Sequence, residues 1–213
     1  MKAKRILGFP ILFTFFVLST ISFQSCEPDE RKEDLVYKPN IYIYPEEEIQ
    51  LDVILSFPMG GKVITSIPEY INGWSVTVDK NGIIDDIYSY LFYESLQPDI
   101  WQKSDGWLIK KSELESFFRM NMAEFGFFGQ EIDDFIDYWI PRLNDHSFYA
   151  IYPQTKELID DVIEIYFSTQ PKNSLRLFYV IKGHESIVDE LPVPEIESFN
   201  REGFYVTEWG VIL

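Results

Sequence analysis

The stretch IQLDVILSF, residues 49–57, alternates between apolar side chains and other side chains. Successive side chains of a β-strand point to opposite faces, so its alternate residues share one face. That pattern predicts a half-buried strand over 49–57. The shared face carries Ile49, Leu51, Val53, Leu55 and Phe57.

Three further strands are predicted near this one. KVITSI (62–67) and WSVTV (74–78) are rich in β-branched residues, which favour strands. Asn81-Gly82 predicts a tight turn leading to a strand at 88–94, YSYLFYE. The Asn-Gly pair favours a hairpin turn, so we expect the strands on either side of it to pair.

Two helices follow these strands. Ser112 and Glu115 form a capping-box pattern, which predicts a helix of about 12 residues that ends near Gly126. A second apolar stripe predicts a helix from Gln130 to Ile140, and Pro141 limits its continuation. The short link 126–129 makes the pair a helical hairpin.

Strand patterns then return at 147–152, 162–168, 174–181 and 203–209. The pattern at 155–161 does not decide whether these residues form a short helix. Strand runs on both sides of a helical pair predict an α+β fold. We expect a mainly antiparallel sheet or sandwich with the helical hairpin, about 112–141, packed on it.

The N-terminal region has the pattern of an export signal. Lys2, Lys4 and Arg5 precede an uncharged run from residue 6 to residue 23. A basic start followed by an apolar run is typical of a secretory signal, and this run also reaches the lower length limit of a membrane span. A cleaved signal and an uncleaved anchor are therefore both compatible with the run.

The single cysteine, Cys26, favours cleavage. Phe23-Gln24-Ser25-Cys26 resembles the lipobox of bacterial lipoproteins, in which the chain is cut before a cysteine that then carries fatty acyl chains such as palmitate. A lone exported thiol has no disulfide partner within its own chain, and acylation gives it a use. We predict a signal peptide over 1–25, an acidic tether over 26–36 and one globular domain over 37–213. The predicted location is the bacterial cell envelope, on its periplasmic or its surface-exposed side.

Composition narrows the range of partners. Removing the first 25 of 213 residues leaves 188 residues that hold all 35 acidic residues but only 15 of the 18 basic ones, a formal charge of −20. So acidic a surface argues against nucleic acid, because phosphate contacts need Lys and Arg. The expected partners are the membrane, through the lipid, and a glycan or protein ligand.

Several segments resemble a family of exported bacterial proteins of uncharacterised activity. The segment 38–45, KPNIYIYP, resembles the K-P-x-I-Y-L-Y-P stretch that opens the globular domain in that family. The segment 203–210, GFYVTEWG, resembles its C-terminal G-F-x-V-x-E-W-G motif. The resemblance implies one domain from about residue 36 to the end of the sequence, and it implies no activity.

Residues suited to catalysis are few. There are two histidines, the sequence has no zinc-ligand spacing, and neither a cofactor nor a metal is predicted. Glu94 and Glu208 each lie beside aromatic residues near a strand end, where carboxylates could contact the hydroxyl groups of a sugar stacked on a ring. Trp101 and Trp107 flank a polar loop, where exposed rings would mark a recognition patch.

These features favour a non-catalytic lipoprotein that binds a glycan or a protein ligand, with Trp101, Trp107, Glu94 and Glu208 as candidate contacts. The first alternative is a carboxylate-based glycan hydrolase, which needs two acids on either side of the sugar bond. The second alternative is a structural envelope protein.

Overall fold

The computed structural model describes residues 32–187 and 191–213. This part of the chain contains ten strands and three α-helices. The strands are β1 Glu33–Tyr44, β2 Ile49–Ser56, β3 Lys62–Ile67, β4 Trp74–Val78, β5 Leu91–Pro98, β6 Trp107–Lys110, β7 Phe148–Thr155, β8 Glu164–Phe167, β9 Asn173–His184 and β10 Tyr205–Ile212. The helices are α1 Leu114–Phe125, α2 Gln130–Trp139 and α3 Lys156–Asp160.

The strands form two sheets. Seven of them are ordered β3-β5-β1-β10-β9-β7-β6, and the other three are ordered β4-β2-β8. Only the β9–β10 pair is parallel among the strand pairs of the described residues. The predicted α+β fold with a mainly antiparallel sheet is confirmed.

The large sheet has a hydrophobic core on each of its faces. One core joins it to the three-stranded sheet, through residues such as Val53 and Phe178. The other core joins it to α1 and α2, through residues such as Phe118, Phe135 and Trp209. The molecule is therefore built in three layers, with the large sheet between the small sheet and the helical hairpin.

The helical hairpin lies where the sequence predicts it, but α1 begins differently. Lys111–Glu113 forms a 3-10 turn, α1 starts at Leu114, and no side chain caps its N-terminus. The prediction of a capping box with Ser112 at its start is therefore wrong. The C-terminal prediction is confirmed, because Gly126 ends α1 in the left-handed conformation, with a φ of 110°.

Two strand predictions need correction. The strands before and after Asn81-Gly82 do not pair, since β4 lies in the small sheet and β5 lies in the large one. The strand predicted at 88–94 runs from residue 91 to residue 98. The sequence pattern also missed β1, which begins at Glu33 and buries Val36.

The predicted signal peptide, Cys26 and most of the predicted tether lie outside the described residues. Within the described part of the chain, no helix combines the length and the apolar character needed to cross a bilayer.

Candidate functional site

The predicted contact residue Glu208 lies inside the protein. Its side chain has no exposed surface. One carboxylate oxygen accepts a hydrogen bond from the Tyr93 hydroxyl at 2.8 Å, and the other accepts one from Arg176 Nε at 2.6 Å. Burial and the Glu208 charge raise the pKa of Tyr93 well above its ordinary value, so the phenol stays protonated and donates. Glu208 is part of a buried network and is not placed to contact a ligand.

The two candidate tryptophans lie on opposite sides of the large sheet. Trp101 is 6% exposed and belongs to the core under the small sheet, where its ring centroid lies 6.3 Å from that of Phe178. Trp107 is half-buried on the helical side, 5.4 Å from the Phe117 ring. The structure does not bring the two rings together into a surface patch.

Glu94 also points away from Glu208. It follows Tyr93 in β5, and because alternate side chains of a strand face opposite sides, Glu94 lies on the helical face while Tyr93 and Glu208 lie on the other. A hydrolase needs two carboxylates that flank one sugar bond. The predicted pair of Glu94 and Glu208 does not provide this arrangement.

Glu94 does lie beside a cavity that the sequence analysis missed. The cavity has a volume of about 380 Å³ and lies next to α2, between the middle of β1, the end of β3 and the start of β5. Aromatic side chains dominate its wall. The lining residues are Lys38, Ile67, Ile87, Tyr88, Ser89, Tyr90, Phe92 and Tyr138. We call this space the Lys38 pocket.

Lys38 is positioned by an irregularity in β1. The pairing register of this strand shifts between Tyr37 and Asn40 against β10, and it shifts over the same segment against β5. At the bulge Lys38 adopts a φ of 52°, a conformation that costs a residue with a side chain about 1–3 kcal/mol. Bulges of this kind redirect a side chain out of the regular pleat.

The redirected amine is surrounded by rings. Lys38 Nζ lies 5.1 Å from the ring centroids of Tyr90 and Phe92 and 4.9 Å from that of Tyr138. It also donates a hydrogen bond of 3.4 Å to the Tyr90 hydroxyl. Ring faces attract a cation at these distances, so the three rings hold the amine at the cavity wall.

The pKa values of Lys38 and Glu94 are shifted in opposite directions. Burial lowers the pKa of Lys38, although the charges of Asp134 and Glu94 raise it in part. Burial raises the pKa of Glu94 above 4.5, against the lowering effects of the Lys38 backbone N–H and ammonium group. An acid and a base whose pKa values are both shifted towards neutrality are typical of functional sites.

The acidic side of α2 supports the pocket wall. Asp134 accepts a hydrogen bond of 2.8 Å from the Tyr42 hydroxyl, and the Tyr42 ring lies edge-on to Tyr90 at 5.2 Å. Arg142 stacks on the outer side of Tyr138, with its guanidinium carbon 3.7 Å from the ring centroid. These contacts fix the orientation of two of the rings that surround Lys38.

The sequence contained only a weak signal for this pocket. Lys38 opens the KPNIYIYP segment, and the aromatic residues of 88–93 were assigned to a strand. The pocket is assembled from β1, the approach to β5 and the end of α2, which together span about one hundred residues of the chain. No spacing rule joins such distant segments.

Among residues 32–187 and 191–213, no group of three or more His, Cys, Asp or Glu side chains is arranged to hold a metal ion. No protein-family model matches the chain, and searches of curated proteins and of solved structures found no significant match.

Proposed function

We propose that this protein is an exported, lipid-anchored binding protein and that the Lys38 pocket accepts a carbohydrate. The observation that carries the binding proposal is the open cavity walled by Tyr90, Phe92 and Tyr138. Its volume of about 380 Å³ falls within the range of small-ligand sites. The anchoring proposal is supported by the sequence around Cys26 and by the apolar run before it.

A sugar suits this wall for two reasons. The apolar face of a pyranose ring packs on aromatic side chains, and tyrosine adds a hydroxyl group at the edge of the apolar surface. Polar groups beside the rings then contact the sugar hydroxyls. In this pocket those groups are Ser89, the Tyr90 hydroxyl and the Lys38 amine.

The rim adds further apolar surface. Ile67 and Ile87 line the cavity and are 54% and 74% exposed. Exposed apolar groups that border a concave site are typical of ligand-binding surfaces. This rim would contact a second sugar unit or a substituent beyond the ring that occupies the cavity.

The test is a carbohydrate array probed with the full-length protein, followed by calorimetric titration of the glycans retained. We expect Tyr138→Ala and Phe92→Ala to weaken binding by about tenfold or more, because losing a buried aromatic contact at a binding centre commonly costs at least 1.4 kcal/mol. Tyr166→Ala is the matched control, since this tyrosine is 49% exposed on β8 of the small sheet.

Three outcomes contradict the proposal. The first is an array on which no glycan is retained above background. The second is a retained glycan whose affinity is the same for wild type and for both pocket variants, because binding would then lie elsewhere. The third is a loss of affinity that also appears in the Tyr166→Ala control.

A further inference from the structure

The Lys38 amine differs from other lysine amines of this chain. Lys103 and Lys156 each pair with an aspartate. The hydrogen bond of Lys38 Nζ instead goes to a tyrosine hydroxyl, at 3.4 Å. Its carbon chain is held by a strained bulge, and its nitrogen opens onto a cavity. Sugar stacking alone requires the rings but does not require an amine at their centre.

We propose that Lys38 Nζ is a nucleophile that captures the carbonyl group of a small aldehyde or ketone as a Schiff base inside the Lys38 pocket. The proposal uses the same cavity as the carbohydrate proposal and goes beyond it, since it concerns covalent chemistry and holds for a carbonyl compound that is not a sugar. The backbone at the bulge fixes the amine, and the rings cover part of its surface.

The chemical step needs only groups that are present. The lone pair of the neutral amine forms a bond to the carbonyl carbon, and the carbonyl oxygen takes up a proton to become a hydroxyl group. Nitrogen then loses a proton, the hydroxyl group leaves as water after protonation, and a C=N bond replaces the C=O bond. One water molecule is released, and no atom is oxidised or reduced.

Glu94 is suited to supply the proton for the departing hydroxyl group. It lies in the neighbouring strand β5, near enough for each charge to affect the pKa of the other. Burial keeps a larger fraction of this carboxyl protonated than an exposed glutamate would retain, which is the form a general acid requires.

The remaining charged groups act on the amine in opposing ways. Asp134 faces it from α2 and favours the ammonium form, whereas Arg142, just after α2, favours the neutral form. The hydroxyl of Tyr90 accepts its hydrogen bond, and the Tyr138 ring contacts it. Burial is the largest influence and lowers the pKa of Lys38, so its neutral, nucleophilic fraction exceeds that of an exposed lysine.

The experiment treats the full-length protein with glycolaldehyde and sodium cyanoborohydride at pH 6 to 8 and measures reductive alkylation of each lysine by peptide mass spectrometry. Lys62 and Lys110 are exposed and serve as internal references. We expect Lys38 to be labelled several-fold faster than both references at pH 6. Labelling in urea should abolish the difference, because it depends on the folded cavity.

Two variants test the roles of Glu94 and Lys38 separately. Glu94→Gln removes the proposed proton donor and should slow labelling of Lys38 even though loss of the Glu94 charge favours the neutral amine, and it should leave the rates at Lys62 and Lys110 unchanged. Lys38→Arg keeps the positive charge and the ring contacts but removes the primary amine, so it should abolish the fast-reacting site. Circular dichroism spectra are compared with that of the wild type to check that each variant is folded.

Equal labelling rates at Lys38, Lys62 and Lys110 in the folded protein would overturn this proposal, and so would a Lys38 advantage that persists in urea. The outcome is separable from that of the glycan experiment. A protein that binds a glycan but shows no fast lysine refutes only the amine chemistry. A fast Lys38 with no retained glycan refutes only carbohydrate binding.

Discussion

At the scale of single residues, Glu208 shows how a charged side chain can be fixed inside a protein. It and Arg176 are almost fully buried, with side-chain exposures of 0% and 4%. Burial opposes the charged form of Arg176, but Glu208, Tyr93 and Asp160 outweigh it and raise the pKa. The Arg176 charge is therefore retained in the folded protein because Glu208 is present.

Breaking this buried ion pair should lower the free energy of unfolding. Glu208→Gln keeps the shape of the side chain but leaves the Arg176 charge without its buried partner. We expect a loss of about 3–5 kcal/mol in the free energy of unfolding, measured by urea titration. Glu115→Gln is the control, because its pair with Arg119 is 43–56% exposed and such pairs contribute about 0–1 kcal/mol. Equal losses in the two variants would contradict the buried role.

Glu94 gives a pH-dependent prediction at the same scale. Its pKa is raised in the folded protein, chiefly by burial, so ionising it favours the unfolded chain. The free energy of unfolding of the wild type should fall as pH rises from about 4.5 through the raised pKa, and Glu94→Gln should lack this component. The variant should therefore gain stability relative to the wild type over this window.

Urea unfolding at pH 4 and at pH 8 measures this difference in stability. The contributions of ionisable groups that both proteins share cancel in the comparison. Glu47→Gln, in the exposed turn after β1, is the control for replacing a glutamate. A wild-type-to-variant difference that is the same at both pH values would contradict the raised pKa of Glu94.

At the scale of elements, the helical hairpin is tied to the sheet through Glu131. This buried residue of α2 accepts hydrogen bonds from Thr207 Oγ1 of β10, at 2.8 Å, and from the Phe128 backbone N–H, at 2.9 Å. Arg201 forms an ion pair with it and donates from Nε to the Gly126 carbonyl at the end of α1, at 2.8 Å. One carboxylate thus joins both helices, β10 and the segment before β10.

Glu131→Ala should loosen this junction, because the Arg201 charge and the Thr207 hydroxyl lose their buried acceptor. We expect a loss of about 3–5 kcal/mol in stability and faster amide hydrogen exchange across 114–139. Asp133→Ala, on the exposed side of the same helix, should cost less than about 1 kcal/mol. Unchanged exchange in the Glu131 variant would contradict the proposed junction.

The strand β2, with one buried face, could be predicted from its alternation, whereas β1, which is buried on both faces, could not. The alternating pattern of β2 gave its bounds to within one residue. β1 lies between β5 and β10, and its Ile41, Tyr42 and Ile43 are all buried, so its sequence does not alternate. A strand of this kind reads as a continuous apolar run.

The candidate site was harder to predict than the elements. Glu94 was selected for its aromatic neighbours, and it does lie beside an aromatic cavity. Glu208 was selected for the same reason, but it points into the other core, because a side chain's face depends on the register of its strand. Trp101 lies in a loop that folds back onto the core, which local sequence does not reveal.

At the scale of the whole molecule, the pocket depends on how the layers overlap. The helical hairpin covers the middle of the large sheet, where Phe135 contacts Tyr179 and Trp209. Tyr138, near the end of α2, forms one wall of the Lys38 pocket, and β3 and β5 form the other. The site is thus a border between layers, which exists only when the whole domain is assembled.

The proposed lipid anchor also belongs to this scale, because it would place the whole acidic domain at a membrane. Cys26→Ser should abolish incorporation of labelled palmitate and prevent cleavage of the N-terminal segment, both visible by intact mass. Covalent label and mass are the required measurements, since an uncleaved apolar run could itself retain the chain in the membrane. Ser25→Ala is the control, because it keeps a small residue before the cysteine and should still be processed.

Two or more acyl chains anchor stably, since each buried CH₂ contributes about 0.8 kcal/mol, whereas one chain anchors only marginally. A wild-type chain with an unmodified Cys26 or an intact Met1 end would refute the anchor, and the Lys38 pocket would then need another route to its ligand.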